Sequence, residues 1–414
     1  MNIKTRYIRQ ELLNCLNSSP VVFLNGPRQA GKSTLVQDLA KTEIQAEYVT
    51  FDSNVQMMAA VNSPESYLRE RKKSLIIDEV QLVPEIFRAL KIVVDELRYQ
   101  SKTRVVGKFL LTGSANILAL PNLSDSLVGR MQVITLYPFS GAEALGTKNL
   151  FLDSLFNLNF YVDNQNVSLN DVISAATFPE VSTTSSKHYN HWFDSYITTL
   201  LQRDVRALAE IDKLRVMPNL LRLLANRAGC LLNNADLARD AGLNAVTFNN
   251  YKTLLKMLFL VIEIPPWYRN IGKRLVKSSK AYLVDSLMLC HLLAYDIDTL
   301  KQTRPEIFGH VIENFVATEI VKQISIVNKG LKLYHFRTSD NKEVDFVIEK
   351  PDGKLVGIEV KNRESVNHKD FEGLSALKTA TKTDFVCGVI LYRGKDIVPF
   401  GEGLWAIPIS AIWS

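Results

Sequence analysis

Between Pro20 and Ala40 the chain reads PVVFLNGPRQAGKSTLVQDLA, an apolar run followed by the spacing GxxxxGK[ST] and a helix-competent segment. Average composition produces such a spacing in about one chain of this length in a hundred. The strand before it and the helix after it lower that chance further. The pattern constrains the fold because such a loop works only where a buried strand runs into a helix. Gly26 and Gly31 permit backbone conformations in which successive N–H groups point inward and cradle a polyphosphate. The following helix adds the positive end of its dipole. Gly26, Pro27, Arg28, Gln29, Ala30, Gly31, Lys32, Ser33 and Thr34 are therefore the expected nucleotide-binding residues. Lys32 is expected to reach the β- and γ-phosphates, and Ser33 to offer its hydroxyl to Mg²⁺.

The neighbouring sequence agrees. Apolar runs at Val21–Leu24, Tyr48–Phe51, Leu75–Ile77, Phe109–Leu111 and Val133–Leu136 alternate with helix-length amphipathic stretches. That alternation predicts βαβ units around a mostly parallel, buried sheet. The run SLIIDEVQ ends an apolar strand in Asp78 and Glu79. Buried strands disfavour carboxylates, so a pair at a strand end needs a reason. Asp78 is expected to hold Mg²⁺ and Glu79 to orient an attacking water. A further strand, KFLLTGSAN, ends in Thr112, Ser114 and Asn116. Thr112 and Ser114 are the leading candidates to sense a γ-phosphate, against simple turn chemistry from Thr-Gly-Ser. Arg130 in SLVGRM is the candidate finger for transition-state charge, with Arg28 a weaker rival.

GPRQAGKSTL, IIDEVQLVPE, FLLTGSAN and SLVGRMQVITLYPFS together resemble prokaryotic AAA-type ATPases that carry a C-terminal domain of unknown function. The resemblance runs from the N-terminus to about residue 145. It implies ATP as ligand, Mg²⁺ as cofactor and hydrolysis of ATP as the reaction. Members of that family usually show a Gly-Gly-aromatic-Pro-Glu turn, where this chain has Ala176-Thr177-Phe178-Pro179-Glu180. Gln202-Arg203-Asp204-Val205 also resembles the family, and an exposed helix ion pair is its plain reading.

Four regions are expected: residues 1–140 as the AAA-type domain, 141–228 as a helical lid or linker, 229–285 as a winged-helix-like domain, and 286–414 as a nuclease-like α/β domain. Trp192–Ala209, Met217–Leu232 and the stretch Leu283–Glu313 read as helical. In the third region Asn234–Leu258 reads as helix, turn, helix, with Gly242 ending the first and Asn244 capping the second. Thr247, Asn249, Asn250 and Lys252 would then face a DNA groove. The following loop holds Arg269, Lys273, Arg274, Lys277 and Lys280 beside two aromatics and without an acid, which suits a phosphate backbone. Such a run also occurs as a merely solvated surface, and helix-turn-helix units also serve protein contacts.

The last region carries EVDFVIEKPDGKLVGIEVKN from Glu343 to Asn362. Pro351-Asp352-Gly353 suits a three-residue hairpin loop, with Gly353 left-handed. Counting back from the loop, Lys350 faces Lys354 and Asp345 faces Glu359. Carboxylates so placed would sit roughly 5 Å apart and repel unless a cation lies between them. Lys361 shares a face with Glu359, and Glu313 lies on an otherwise apolar helical stripe. Glu313, Asp345, Glu359 and Lys361 resemble the pattern of the PD-(D/E)XK nuclease superfamily, over roughly residues 286 to 414. Val344 stands where that pattern has a proline. The resemblance implies a metal held by Glu313, Asp345 and Glu359, with Asp345, Glu359 and Lys361 as cleavage residues. The plain alternative pairs Lys361 with Glu343 across the hairpin. His310 and His335 nearby read as structural histidines.

Lys plus Arg number 49 and Asp plus Glu 43 in 414 residues, a mild excess of +6 that is compatible with nucleic acid without requiring it. With 47% hydrophobic and 22% charged residues the chain is neither disordered nor fibrous. No apolar run approaches the roughly 18–20 residues that cross a bilayer, and the N-terminus lacks the apolar core of a secretory signal. Cys15, Cys230, Cys290 and Cys387 form no CxxC pair, which points away from zinc or a disulfide framework and toward the cytoplasm. Two whole readings follow: an ATP-driven enzyme acting on DNA, and an ATP-dependent switch or adaptor whose C-terminal fold binds a protein partner. A finger acting in trans from Arg130 would require a homo-oligomer, and no membrane contact is expected.

Overall fold

Strands that are apolar on both faces need helices on both sides, and Val21–Asn25 and Phe109–Gly113 are buried at every position. A computed structural model describes residues 4–101, 103–115, 127–148, 151–162, 167–184, 189–208, 214–270, 272, 274, 278–327 and 329–414. These divide into two compact units, one of residues 5–138 with 257–259 and the other of the remainder.

In the first unit five strands, β1 (Val21–Asn25), β2 (Ala46–Thr50), β3 (Ser74–Asp78), β4 (Phe109–Gly113) and β5 (Met131–Thr135), form a parallel sheet in the order β2-β3-β4-β1-β5. The register aligns Leu24 with Thr112 and Asn25 with both Gly113 and Thr135. Loops that leave β1, β3 and β4 therefore emerge at one edge of the sheet. Helices Ile8–Leu16, Lys32–Thr42, Asn54–Asn62, Pro64–Arg69 and Ile86–Gln100 complete the unit. The last shows the clearest amphipathic stripe, burying Ile86, Phe87, Ala89, Leu90, Val93 and Val94. Phe87 meets Phe23 of β1 edge-on, ring centroids 6.0 Å apart. Each such ring or branched side chain contributes about 1.5–3 kcal/mol on burial.

The second unit holds a helix-turn-helix, Asn234–Asp240 and Ala245–Met257, followed by an antiparallel pair, β6 (Val261–Ile264) and β7 (Lys280–Leu283). Asn233 caps the first of these helices through the amides of Ala235 and Asp236. A six-stranded mixed sheet follows from β8 (Lys332–Arg337), β9 (Glu343–Glu349), β10 (Leu355–Lys361), β11 (Phe385–Tyr392), β12 (Val398–Pro399) and β13 (Leu404–Pro408), in the order β12-β13-β11-β10-β9-β8. β8, β9 and β10 run as an antiparallel meander, and β10, β11 and β13 are mutually parallel. The hairpin closes as expected. Gly353 donates to the carbonyl of Lys350 at 2.9 Å, Lys350 to that of Lys354 at 2.9 Å, and Phe346 faces Ile358. Helix Glu372–Thr381 lays Leu374 and Leu377 onto Gly357, where a Cβ would come within 2.8 Å of both.

The stretch expected to be helical from Leu283 to Glu313 resolves into Ser286–Leu292, Ile297–Thr303 and the start of Pro305–Val327. Asp285 and Asp296 cap the first two, and Pro305 opens the third, each a start signal that interrupts the run. Likewise the helix expected over Met217–Leu232 ends at Ala225. At the Ala176–Glu180 turn, the Thr177 hydroxyl donates to the buried Asp285 carboxylate at 2.6 Å, and Ala176 has a φ of −82°, so no glycine pair is needed there. Among the described residues no helix is long and apolar enough to cross a membrane.

Candidate functional site

The loop after β1 takes positive φ at Gly26 (143°), Gln29 (58°) and Gly31 (94°). Gly26 admits no side chain, since a Cβ would lie 2.1 Å from the carbonyl oxygen of Leu136. Gly31 precedes the helix Lys32–Thr42 and offers no side chain to cap it. Ser33 and Thr34 lie in this first turn, Ser33 half-buried and Thr34 exposed. Lys32 is 5% exposed and folds back to donate to the carbonyls of Gly26 (2.9 Å) and Pro27 (2.8 Å). Arg28 is half-buried, Gln29 exposed, and Pro27 and Ala30 buried. Arg6 braces the loop from behind, donating to the carbonyls of Ala30 (2.7 Å) and Tyr137 (2.6 Å). No sequence motif pointed to that arginine.

Asp78 ends β3 and is 4% exposed. Its Oδ2 accepts from the Tyr48 hydroxyl at 2.6 Å and its Oδ1 accepts from the Thr112 hydroxyl. Burial, together with Asp78 beside it, pushes the Tyr48 phenol well above its ordinary range. Glu79 is left-handed (φ 56°, ψ 43°) and its carboxylate accepts from the Gln81 amide, which also donates to Ser114 Oγ at 3.0 Å. The Gln81 Oε1 is buried with no partner among the described residues. Thr112 and Ser114 are both buried, Thr112 donating its hydroxyl to Asp78 and Ser114 accepting from Gln81. Asn116 lies outside the described residues.

Arg130 is not brought to the loop. It precedes β5, whose far end, Thr135, aligns with Asn25, so about 17 Å of strand separates it from the loop's edge of the sheet. Its guanidinium holds Asp95 bidentately at 2.7 and 2.8 Å. Arg130 and the Gly26–Ser33 loop thus lie toward opposite ends of β5 and β1.

The C-terminal cluster keeps the expected register. The amide of Val360 donates to Asp345 Oδ2 at 2.9 Å, and that of Asp345 to Glu359 Oε2 at 3.3 Å. Lys361 pairs with Glu359 at 2.7 Å, whereas Glu343 pairs with Lys280. Lys280, expected as a DNA-facing cation, is 2% exposed. Its ammonium lies 3.2 Å from Glu313, 2.7 Å from Glu343 and 2.9 Å from Asp345. Tyr282 also donates to Glu313 at 2.7 Å. Burial disfavours the charge on Lys280, but Asp345 and its fellow carboxylates outweigh that and hold it firmly protonated. Burial first and Asp345 second push the carboxyls of Glu313 to about 7 and Glu359 to about 8. Among the described residues no three His, Cys, Asp or Glu side chains converge as a metal would need. Glu313 Oε1 accepts from Lys280 and Tyr282, Asp345 from Lys280 and the Val360 amide, and Glu359 from Lys361 and the Asp345 amide.

His335 is buried, with Nε2 3.1 Å from the carbonyl of Ser278, and burial lowers it to about 4. Among the described cations of the basic loop, Arg274 is paired as Lys280 is. Arg274 pairs with Glu349 at 2.7 Å and packs over the rings of Trp267 and Tyr334, and Lys252 pairs with Glu263 at 2.7 Å. Lys273 and Lys277 lie outside the described residues, while Arg269, Asn249 and Asn250 are exposed and Thr247 is half-buried.

Comparison with known proteins places a family model described as "AAA domain" on residues 18–145. Two models described as domains of unknown function, DUF8612 and DUF4143, cover residues 166–299 and 308–412. An uncharacterized protein of Mycobacterium tuberculosis, Rv2008c, is 29% identical over 415 residues, spanning 100% of this chain and 85% of its own. One from Haemophilus influenzae is 23% identical over 399 residues, 92% of each chain. Among solved structures, a Walker-type ATPase of Pyrococcus abyssi matches at 13% identity and a TM-score of 0.42, over 70% of this chain and 96% of that one. A Thermotoga maritima RuvB variant matches at 15% and 0.31, over 70% and 94%. The parallel sheet, the loop at its edge and the matched domain identify residues 18–145 as a AAA-type P-loop domain, the fold of ATP-binding proteins.

Proposed function

We propose that residues 18–145 bind ATP with Mg²⁺ and hydrolyse it, and that the rest of the chain acts as an ATP-controlled binding module. The observation that carries this is the Gly26–Ser33 loop at the same sheet edge as Asp78 and Glu79. Ser33 and Asp78 would hold Mg²⁺, which would supply positive charge against the charge developing on the phosphate. The donor set fits: a hydroxyl in the first helical turn and a carboxylate fixed by Tyr48 and Thr112. Lys32 exchanges its two carbonyl partners for phosphate oxygens. Glu79 accepts a proton from the attacking water once its carboxylate leaves Gln81, so Gln81 stands between a resting and a working position.

For the second part, the favoured output is binding. DNA remains the partner class best supported, by exposed Asn249, Asn250 and Arg269 beside the helix-turn-helix. The mixed sheet with its Asp345/Glu359 register supports a nuclease-like scaffold that binds without cutting. Lys32→Ala should abolish ATP turnover. Glu79→Gln should keep nucleotide affinity and lose about 10²-fold or more in kcat. Normal turnover by Lys32→Ala would overturn the ATPase assignment.

A further inference from the structure

We infer that the C-terminal carboxylate cluster is a closed cation site whose resident is the ammonium of Lys280, so that this domain takes no divalent metal. The inference deepens the reading of that domain as a scaffold and is independent of the nucleotide chemistry.

Three observations carry it. First, the ammonium donates to two carboxylates, Glu313 at 3.2 Å and Asp345 at 2.9 Å, and lies 2.7 Å from a third, Glu343, as an ion pair. These are hydrogen-bond lengths, whereas Mg²⁺ demands oxygens at about 2.0–2.1 Å in octahedral order. Second, the lysine is anchored. Its backbone pairs with Ile264 on one side and bridges to Leu231 on the other. On either side, Ser279 accepts from the amide of Leu232 and Ala281 from that of Gly229, both at 2.9 Å. Third, Glu313 is boxed in from behind. A Cβ on Gly229 would approach its carboxylate to 3.0 Å, and Tyr282 hydrogen-bonds it from the same strand as Lys280. A cation lowers the repulsion among these acids, and the chain supplies its own.

The test is Mn²⁺ binding to the full chain without nucleotide, read by electron paramagnetic resonance. Wild type and Asp345→Asn should bind equal numbers of Mn²⁺ ions. Lys280→Met should gain one, and Lys280→Met combined with Asp345→Asn should lose it again. A Mn²⁺ equivalent present in wild type and absent in Asp345→Asn overturns the inference. Amine footprinting of wild type covers the case of variants that fail to fold. Lys280 should stay unmodified with or without millimolar Mn²⁺ while exposed lysines such as Lys329 react. Modification of Lys280 that rises with Mn²⁺ would show the ammonium being displaced by metal and would also overturn it.

Discussion

Replacing Gly26 by alanine tests the loop geometry most directly. The added Cβ would stand 2.1 Å from the Leu136 carbonyl oxygen. An ordinary carbon–oxygen contact is about 3.3 Å, so loop and strand must part by about 1.2 Å. That shift pulls against the bond from the Leu136 amide to the Asn25 carbonyl at 2.8 Å. A φ of 143° adds about 1–3 kcal/mol of backbone strain for any residue with a side chain. Overpacking adds about 1–3 kcal/mol more, giving a loss of about 2–6 kcal/mol against a typical domain stability of about 5–15. Gly129→Ala is the internal control in the same unit. Its φ of 72° is also positive, but nothing lies within 4 Å of the new Cβ, so only about 1–2 kcal/mol is at stake. Urea unfolding should show the Gly26→Ala midpoint well below that of Gly129→Ala, with the binding of a fluorescent ATP analogue weakened only in the former. Equal midpoints with unchanged nucleotide affinity would refute the close-approach argument.

If Arg130 serves a neighbouring copy, Arg130→Ala and Lys32→Ala should each be inactive alone and regain part of the turnover when mixed; activity of Arg130→Ala equal to wild type would leave the arginine only its pairing with Asp95. Glu359, ordinarily near 4.5, is held at about 8 in the fold. The folded chain therefore keeps a proton that the unfolded chain has released, and this group's stabilisation, complete below the ordinary value, is lost as pH rises toward 8, by up to roughly 1.4 kcal/mol per pH unit. Glu359→Gln should remove that decline relative to wild type. His335, lowered to about 4, loses its contribution as pH falls from about 6.5 toward 4 and does so in both proteins. Urea unfolding from pH 5 to 8.5 measures the difference, and parallel curves would exclude the Glu359 contribution.

The parallel sheet and its loop were legible because each signal is local: apolar runs of strand length, glycines at fixed spacing, carboxylates at a strand end. The hairpin register was legible because a short loop and a period of two leave nothing to choose. Lys280 was not. Its neighbours in sequence are cations and serines, which read as a solvated loop, while its partners Glu313, Glu343 and Asp345 stand 33, 63 and 65 positions away. The same holds for Arg274 with Glu349, for Arg130 with Asp95, and for Arg6 behind the loop. Thr112 was found as a polar strand end, but the direction of its hydroxyl depends on Asp78 across the sheet. Side chains that meet only after chain crossovers leave no spacing to read.

The position of β1 in its sheet has a consequence for synthesis on the ribosome. Both neighbours of that strand are distant in the chain, β4 ending at Gly113 and β5 at Thr135. Until they emerge, the Gly26–Ser33 segment hangs from an unpaired strand. At about 5–20 residues per second, the hundred or so residues still to be translated mean that a nascent chain spends on the order of 5–20 seconds with this strand exposed and unable to retain nucleotide. During that interval it is a natural target for chaperones.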